Sequence, residues 1–188
     1  NPYGESKLIM EKMMKWQSEA TDMTYVALRY FNVAGAKHDG SIGEAHKNET
    51  HLIPLILQTA LGQREFITIY GDDYNTPDGT CVRDYIDMED LIEAHIKALE
   101  YLKAGGASDQ FNLGSSKGYS NLEVLETARR VTGKEIPSQM GERRPGDPDM
   151  LVADSTKAGE ILDWHVKNNL EYIIENAWKW HSSHPNGY

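Results

Sequence analysis

Tyr3 stands four residues before Lys7 in the opening stretch Asn1-Pro2-Tyr3-Gly4-Glu5-Ser6-Lys7, and on a helix that spacing puts the phenol and the ammonium on one face. The chemistry this allows is general-base catalysis. A free phenol titrates near ~10 and is a poor base at neutral pH, whereas a cation beside it favours the phenolate and lowers that value by about 1–3. The competing reading is a packed Tyr and a solvated Lys, since chance alone places about 0.6 Tyr-x-x-x-Lys pairs in a chain of this composition.

Other polar groups have the types that hold an anionic ligand. Arg83-Asp84-Tyr85 follows the loop Asp78-Gly79-Thr80-Cys81-Val82, Arg143-Arg144-Pro145-Gly146-Asp147 lies further on, and Asn32 comes directly after a strand candidate. The guanidinium fork matches phosphate oxygens in pairs, and a nearby Asp can accept from sugar hydroxyls. In an acidic chain these groups point to a nucleotide diphosphate; surface ion pairs are the alternative for each. The seven histidines show neither His-Glu-x-x-His nor paired Cys/His spacing, so no metal site is expected. A Gly-x-Ser-x-Gly elbow is also lacking, and a Gly-x-Gly-x-x-Gly turn would have to lie upstream of residue 1.

Alternating helices and strands must position these groups. A helix is expected from about Glu5 to Glu19, with Tyr3, Lys7, Met10 and Met14 in one row and Ile9, Met13, Trp16 and Ala20 in another, the second row reading as core or an oligomer contact. Residues 24–30 read as a buried strand and 66–70 as a second, with a helix from Leu52 to Gly62 that tolerates Pro54 in its first turn. Between Glu89 and Lys103, Leu91, His95, Ala98 and Leu102 line one helical face, with Ile92, Ile96 and Leu99 alongside, so His95 reads as a satisfied core histidine. Asp109–Leu113 is a third strand; Ser120-x-x-Glu123 is a capping box opening a helix that Gly133 closes, and further helices are expected near 155–164 and 170–182. The class is α/β.

At 188 residues and 39% hydrophobic, the chain can bury a core as one domain or two small lobes. A net charge of −10 argues against nucleic-acid and anionic-membrane partners. The single cysteine, Cys81, precludes an intrachain disulfide and fits a reducing, cytoplasmic compartment. No apolar run approaches the roughly 18 residues of a membrane span. A start without Met that runs straight into a helix leads us to expect a portion of something longer.

Taken in order, NPYGESK, RYFNVAGA, THLIP, YGDDYNTPDGTCVRDYID, FNLGS and ERRPGDP resemble the UDP-glucose 4-epimerases (UDP-galactose 4-epimerases) of the extended short-chain dehydrogenase/reductase superfamily, over nearly the whole chain. Tyr-x-x-x-Lys is shared across that superfamily, whereas the long DDYNTPDGTCVRDYI segment is specific. The resemblance implies the C-terminal part of an NAD-binding Rossmann fold, residues 1–31 and 84–113, with a smaller mixed α/β lobe, residues 32–83 and 114–188, that binds the UDP-sugar. It implies NAD as cofactor, UDP-glucose and UDP-galactose as substrates, and a homodimer at full length. The nucleotide-binding half and the family's catalytic Ser/Thr would lie upstream, leaving the isolated chain inactive.

By the same resemblance, Tyr3 would remove the proton of the sugar 4-hydroxyl while C4 gives a hydride to NAD, and Lys7 would hold the nicotinamide ribose and keep Tyr3 acidic. The 4-ketose would turn over and take the hydride back on its other face. Tyr30 and Phe31 would lie by the nicotinamide, and Asn32 would contact a phosphate. His51, Leu52, Thr68, Ile69, Tyr70, Arg83, Tyr85, Arg144 and Asp147 would line UDP and its ribose. Leu151 would take the place of a gatekeeper against the 2-substituent, and its intermediate size implies UDP-glucose and UDP-galactose as better substrates than N-acetylated sugars. Two positions depart from the family: His51 stands where Asn is frequent, and Asp87 where His follows Arg-Asp-Tyr-Ile. The alternatives are a related nucleotide-sugar epimerase, dehydratase or decarboxylase, and a non-catalytic nucleotide-sugar-binding fragment.

Overall fold

Asn1 accepts the Gly4 amide on Oδ1 at 2.9 Å and Pro2 occupies the first turn, where its missing N–H has no helical partner to lose, so helix α1 starts at once and runs Pro2–Ala20. The computed structural model describes residues 1–188. After α1 come β1 (Val26–Tyr30), β2 (Asn32–Ala34), α2 (Leu52–Ala60), β3 (Ile67–Tyr70), β4 (Val82–Asp87), α3 (Met88–Lys103) and β5 (Asp109–Leu113). The chain continues through β6 (Gly118–Ser120), α4 (Asn121–Thr132), β7 (Ser138–Gly141), β8 (Met150–Leu151), α5 (Thr156–Leu162) and α6 (Leu170–Ser183). The expected capping box is formed: Ser120 Oγ accepts the Glu123 amide at 3.0 Å, Glu123 Oε2 accepts the Ser120 amide at 2.7 Å, and Gly133 ends α4 at φ 63°.

β1 lies parallel to β5, with Leu28 opposite Phe111, and β3 parallel to β7. β4 is the hub: it runs parallel to β2, with Asn32 opposite Tyr85, parallel to β8, with Arg83 opposite Leu151, and antiparallel to β6. One core cluster gathers Ile53, Ile56 and Leu57 of α2, Ile67 and Ile69 of β3, Val124 and Leu125 of α4, and Ile173 and Ile174 of α6. A second joins Ala94 and Ala98 of α3 to Phe111 and Leu113 of β5, Ala158 and Leu162 of α5, Ile86 and Trp164. Trp164 donates from Nε1 to the Asp90 carbonyl at 2.9 Å, so its one polar atom is satisfied. The class is α/β, as the alternation of elements implies.

Two apolar faces, that of α1 read as core or an oligomer contact and that of α3 as a helical stripe, are not covered by this chain. α1 buries no residue, and Trp16 is 68% exposed. On α3 the buried residues are Asp90, Ala94 and Ala98, while Ile92, Ile96 and Leu99 are exposed. His95 is exposed too, its Nδ1 2.8 Å from the Leu91 carbonyl, and is not the core histidine expected. Periodicity marks an apolar face without saying what lies against it. No helix is long and apolar enough to cross a membrane.

β4 escaped the sequence because Val-Arg-Asp-Tyr-Ile-Asp carries three charged residues, yet five of its six residues are buried. The two aspartates are spent inside the fold. Asp84 accepts the Ser115 amide at 2.8 Å, the Ser115 hydroxyl at 2.6 Å, the Ser116 amide at 3.2 Å and the Ala153 amide at 3.1 Å. Asp87 caps α3 by accepting the Glu89 amide at 2.9 Å, while its Oδ2 is buried without a partner beside Gly35. Gly35 has φ 102°, and a Cβ there would stand 2.7 Å from that oxygen, so the position requires glycine.

Candidate functional site

A cleft of about 820 Å³ runs from Tyr3 past Tyr30 and Phe31, along β2, to Arg144 and Asp147. The helical spacing does what it predicts: Lys7 Nζ lies 5.1 Å from the centroid of the Tyr3 ring. Tyr3 lines the cleft and is 72% exposed, so its hydroxyl is free to meet a ligand; Lys7 stands behind the ring rather than on the cleft wall. Tyr30 and Phe31 leave the end of β1 at the same end of the cleft. Asn32 spends its Nδ2 on the Asp84 carbonyl at 2.8 Å, which leaves Oδ1 as its polar contribution.

The opposite end is cationic. Arg83 donates through Nη1 to the carbonyls of Val82 at 2.8 Å and Pro148 at 2.9 Å, and its side chain is only 14% exposed. Its sole carboxylate neighbour is Asp147, at 3.9 Å, so two main-chain oxygens fix the guanidinium while its charge is only loosely countered. Arg144 stacks over the Tyr70 ring at 4.1 Å and reaches the same cleft. Arg143 turns away, over the Tyr74 ring at 3.9 Å and onto Asp149 at 2.7 Å.

Between the two ends, α2 presents its N-terminus. His51 occupies the cap position without a side-chain hydrogen bond to the helix, so the amides of Leu52 and Ile53, both on the cleft wall, are left for an anion. Strand alternation sets Thr68 and Tyr70 on the cleft and sends Ile69 into the core, where it is 1% exposed. Tyr85 lines the cleft from below, and burial pushes its phenol well above the ordinary tyrosine range. Leu151 lies beside Arg83 on β8 but outside the cleft lining. Asp84, read from sequence as a partner for sugar hydroxyls, is buried and wholly occupied by the Ser115, Ser116 and Ala153 contacts.

The structure also assembles groups that sequence reading passed over. Glu44, His46, Glu49 and His51 converge at the cleft margin, their nearest ligand atoms all within 4.8 Å of one another. Their Glu-x-His-x-x-Glu-x-His order sits in a loop and follows no helical period, which is why spacing rules did not register it. Met88 and Asn121 line the cleft as well, without a sequence signal of their own.

Residues 1–177 match the family model described as GDP-mannose 4,6 dehydratase. The chain belongs to that family. Within it, the chain is 61% identical over 189 residues to a UDP-glucose 4-epimerase of Streptococcus mutans, an alignment that takes in 100% of this chain and 57% of that protein. A solved UDP-glucose 4-epimerase superposes with a TM-score of 0.96 at 56% identity, over 99% of this chain and 57% of the other. The UDP-glucose 4-epimerase of Bifidobacterium longum, solved in complex with NAD+ and UDP, superposes with a TM-score of 0.94 at 37% identity, over 100% of this chain and 56% of that one. The chain therefore spans a little over half the length of these family members.

Proposed function

We propose that the protein carrying this chain interconverts UDP-glucose and UDP-galactose by NAD-dependent epimerisation at C4 of the sugar. The observation that carries this reading is one cleft holding Tyr3, with Lys7 5.1 Å from its ring, at one end and two arginines at the other. Tyr3, Lys7, Tyr30 and Phe31 together present a hydroxyl, an ammonium and two aromatic faces, a donor set that fits the nicotinamide-ribose end of NAD. NAD, when bound, supplies reversible acceptance of a hydride at C4.

The chain's own residues do the rest. Arg83 and Arg144 match the diphosphate charge, and the open amides of Leu52 and Ile53 add donors along it. Asn32, His51, Thr68, Tyr70, Tyr85 and Asp147 wall the nucleotide and sugar. Tyr3 removes the 4-hydroxyl proton as C4 is oxidised, and returns it after the 4-keto sugar has turned over. Substituting Tyr3→Phe, in a protein that carries this chain behind the upstream part its relatives have, should leave UDP binding intact and lower kcat by about 10²–10⁴-fold. A rate above half of wild type would overturn the assignment, and release of a 4-keto-6-deoxy sugar would place the enzyme among the dehydratases instead.

We assign residues 1–31 and 84–113 to the cofactor-binding domain and 32–83 and 114–188 to the sugar-binding lobe, with α5 leaning on β5 of the former. The exposed Ile9, Met13 and Trp16 of α1 support a homodimer of the whole protein, and the lone buried Cys81 supports a cytoplasmic home.

A further inference from the structure

The loop from Gly35 to His51 joins β2 to α2 without a strand or helix of its own, yet it forms one margin of the cleft. Its middle is tied down at Gly43: a Cβ there would stand 2.1 Å from the Trp180 ring, and the Tyr188 hydroxyl brackets the residue, accepting its amide at 3.1 Å and donating to its carbonyl at 3.0 Å. Directly after it the four acidic and imidazole side chains meet. His46 Nδ1 lies 3.0 Å from Glu44 and 3.3 Å from Glu49, and His51 Nδ1 lies 3.0 Å from Glu44 and 2.8 Å from Glu49.

We infer that Glu44, His46, Glu49 and His51 form a binding site for a zinc-class divalent ion, which staples this loop to the start of α2. A tetrahedral ion with bonds of about 2.0–2.2 Å sets its ligand atoms about 3.3–3.6 Å apart; the four nitrogen–oxygen separations fall short of that by less than an ångström and all the ligand atoms lie within 4.8 Å of one another, so modest side-chain shifts admit one. The donor set, two imidazole nitrogens and two carboxylates, suits zinc better than magnesium, which prefers six oxygens and keeps its water. The ligands are held from behind. Glu49 Oε1 accepts the amides of Thr50 at 2.7 Å and His51 at 2.8 Å, and the Glu44 carbonyl accepts Trp180 Nε1 at 3.2 Å.

The charges agree with the geometry. The site brings two carboxylates together, and Glu49 is nearly buried, its side chain 5% exposed. A divalent ion cancels that pair of charges, and because both histidines would bind through Nδ1, Nε2 of His51 stays available to the cleft.

The test is metal content of the 188-residue chain after chelation, addition of zinc chloride and desalting. We expect about one zinc per chain, none retained after the same treatment with magnesium, and the strong visible absorption of four-coordinate cobalt(II) when cobalt replaces zinc. His46→Ala and the isosteric Glu44→Gln should each weaken zinc binding by at least about tenfold, while His95→Ala on α3 binds as wild type. Less than about 0.1 zinc per wild-type chain, the weak absorption of six-coordinate cobalt, or equal loss in the His95 variant would overturn the site. Should either cluster variant fail to fold by circular dichroism, wild-type stoichiometry and the cobalt spectrum still decide the matter.

Discussion

Asp87 lies fully buried at the N-cap of α3, and desolvation, reinforced by the nearby Asp90 and Glu89 charges, raises its carboxyl from 3.8 to about 6 against the pull of the Glu89 amide. At 1.36 kcal/mol per tenfold change in proton affinity, that rise corresponds to about 3 kcal/mol. The sign follows from which form the fold prefers. Because the folded carboxyl holds its proton more tightly than the unfolded one, its cost is absent below 3.8, grows as pH rises, and is complete above about 6. Asp87→Asn removes the titration while keeping an oxygen to accept the Glu89 amide, although its NH₂ inherits the unpartnered position of Oδ2. That second effect is independent of pH and cancels on comparing two pH values. Urea unfolding of both proteins at pH 4.5 and pH 8 should therefore show the variant gaining about 2 kcal/mol on wild type between them, since about 1 of the 3 is already present at the lower pH. A difference that stays flat within about 0.5 kcal/mol would refute a raised Asp87.

Two other substitutions probe the cleft and its support. Arg144→Ala should weaken UDP binding about 10- to 100-fold by calorimetry and flatten its salt dependence, because a charge-assisted contact is worth about 1.5–3 kcal/mol; unchanged affinity would remove Arg144 from the diphosphate site. Asp84→Ala leaves the amides of Ser115, Ser116 and Ala153 without their buried acceptor and should cost about 3–5 kcal/mol in denaturant unfolding; a loss below about 1 kcal/mol would mean that water replaces the carboxylate.

How much could be read before the structure depended on whether the signal was local. Ser120, Glu123 and Gly133 mark both ends of α4 because caps involve neighbours in sequence, and Asp109–Leu113 stands out as a strand between turn residues. The Tyr3–Lys7 proximity is equally local, fixed by one helical turn. β4 was not legible, because its charges are satisfied by partners 31 and 69 residues away. The same long-range dependence hid the burial of Asp84, whereas the Glu44–His51 cluster is local in sequence and escaped because its loop follows no helical period. Ile69 failed for another reason: resemblance selects a segment, whereas strand alternation decides which of its side chains face the ligand. On α1 and α3 the apolar faces were legible and their covering was not.

On β4, adjacent residues serve opposite masters: Arg83 looks into the cleft while Asp84, one peptide later, bolts the strand to the turn at Ser115 and Ser116 and to Ala153. A displacement of the strand by a fraction of its 3.3 Å rise would move the guanidinium off the Pro148 carbonyl and break the carboxylate's contacts together. Variants selected for a different anionic ligand at Arg83 will therefore tend to arrive with altered thermal tolerance. Conversely, a screen for heat resistance that settles on the 115–116 turn will retune ligand affinity without touching a residue of the cleft.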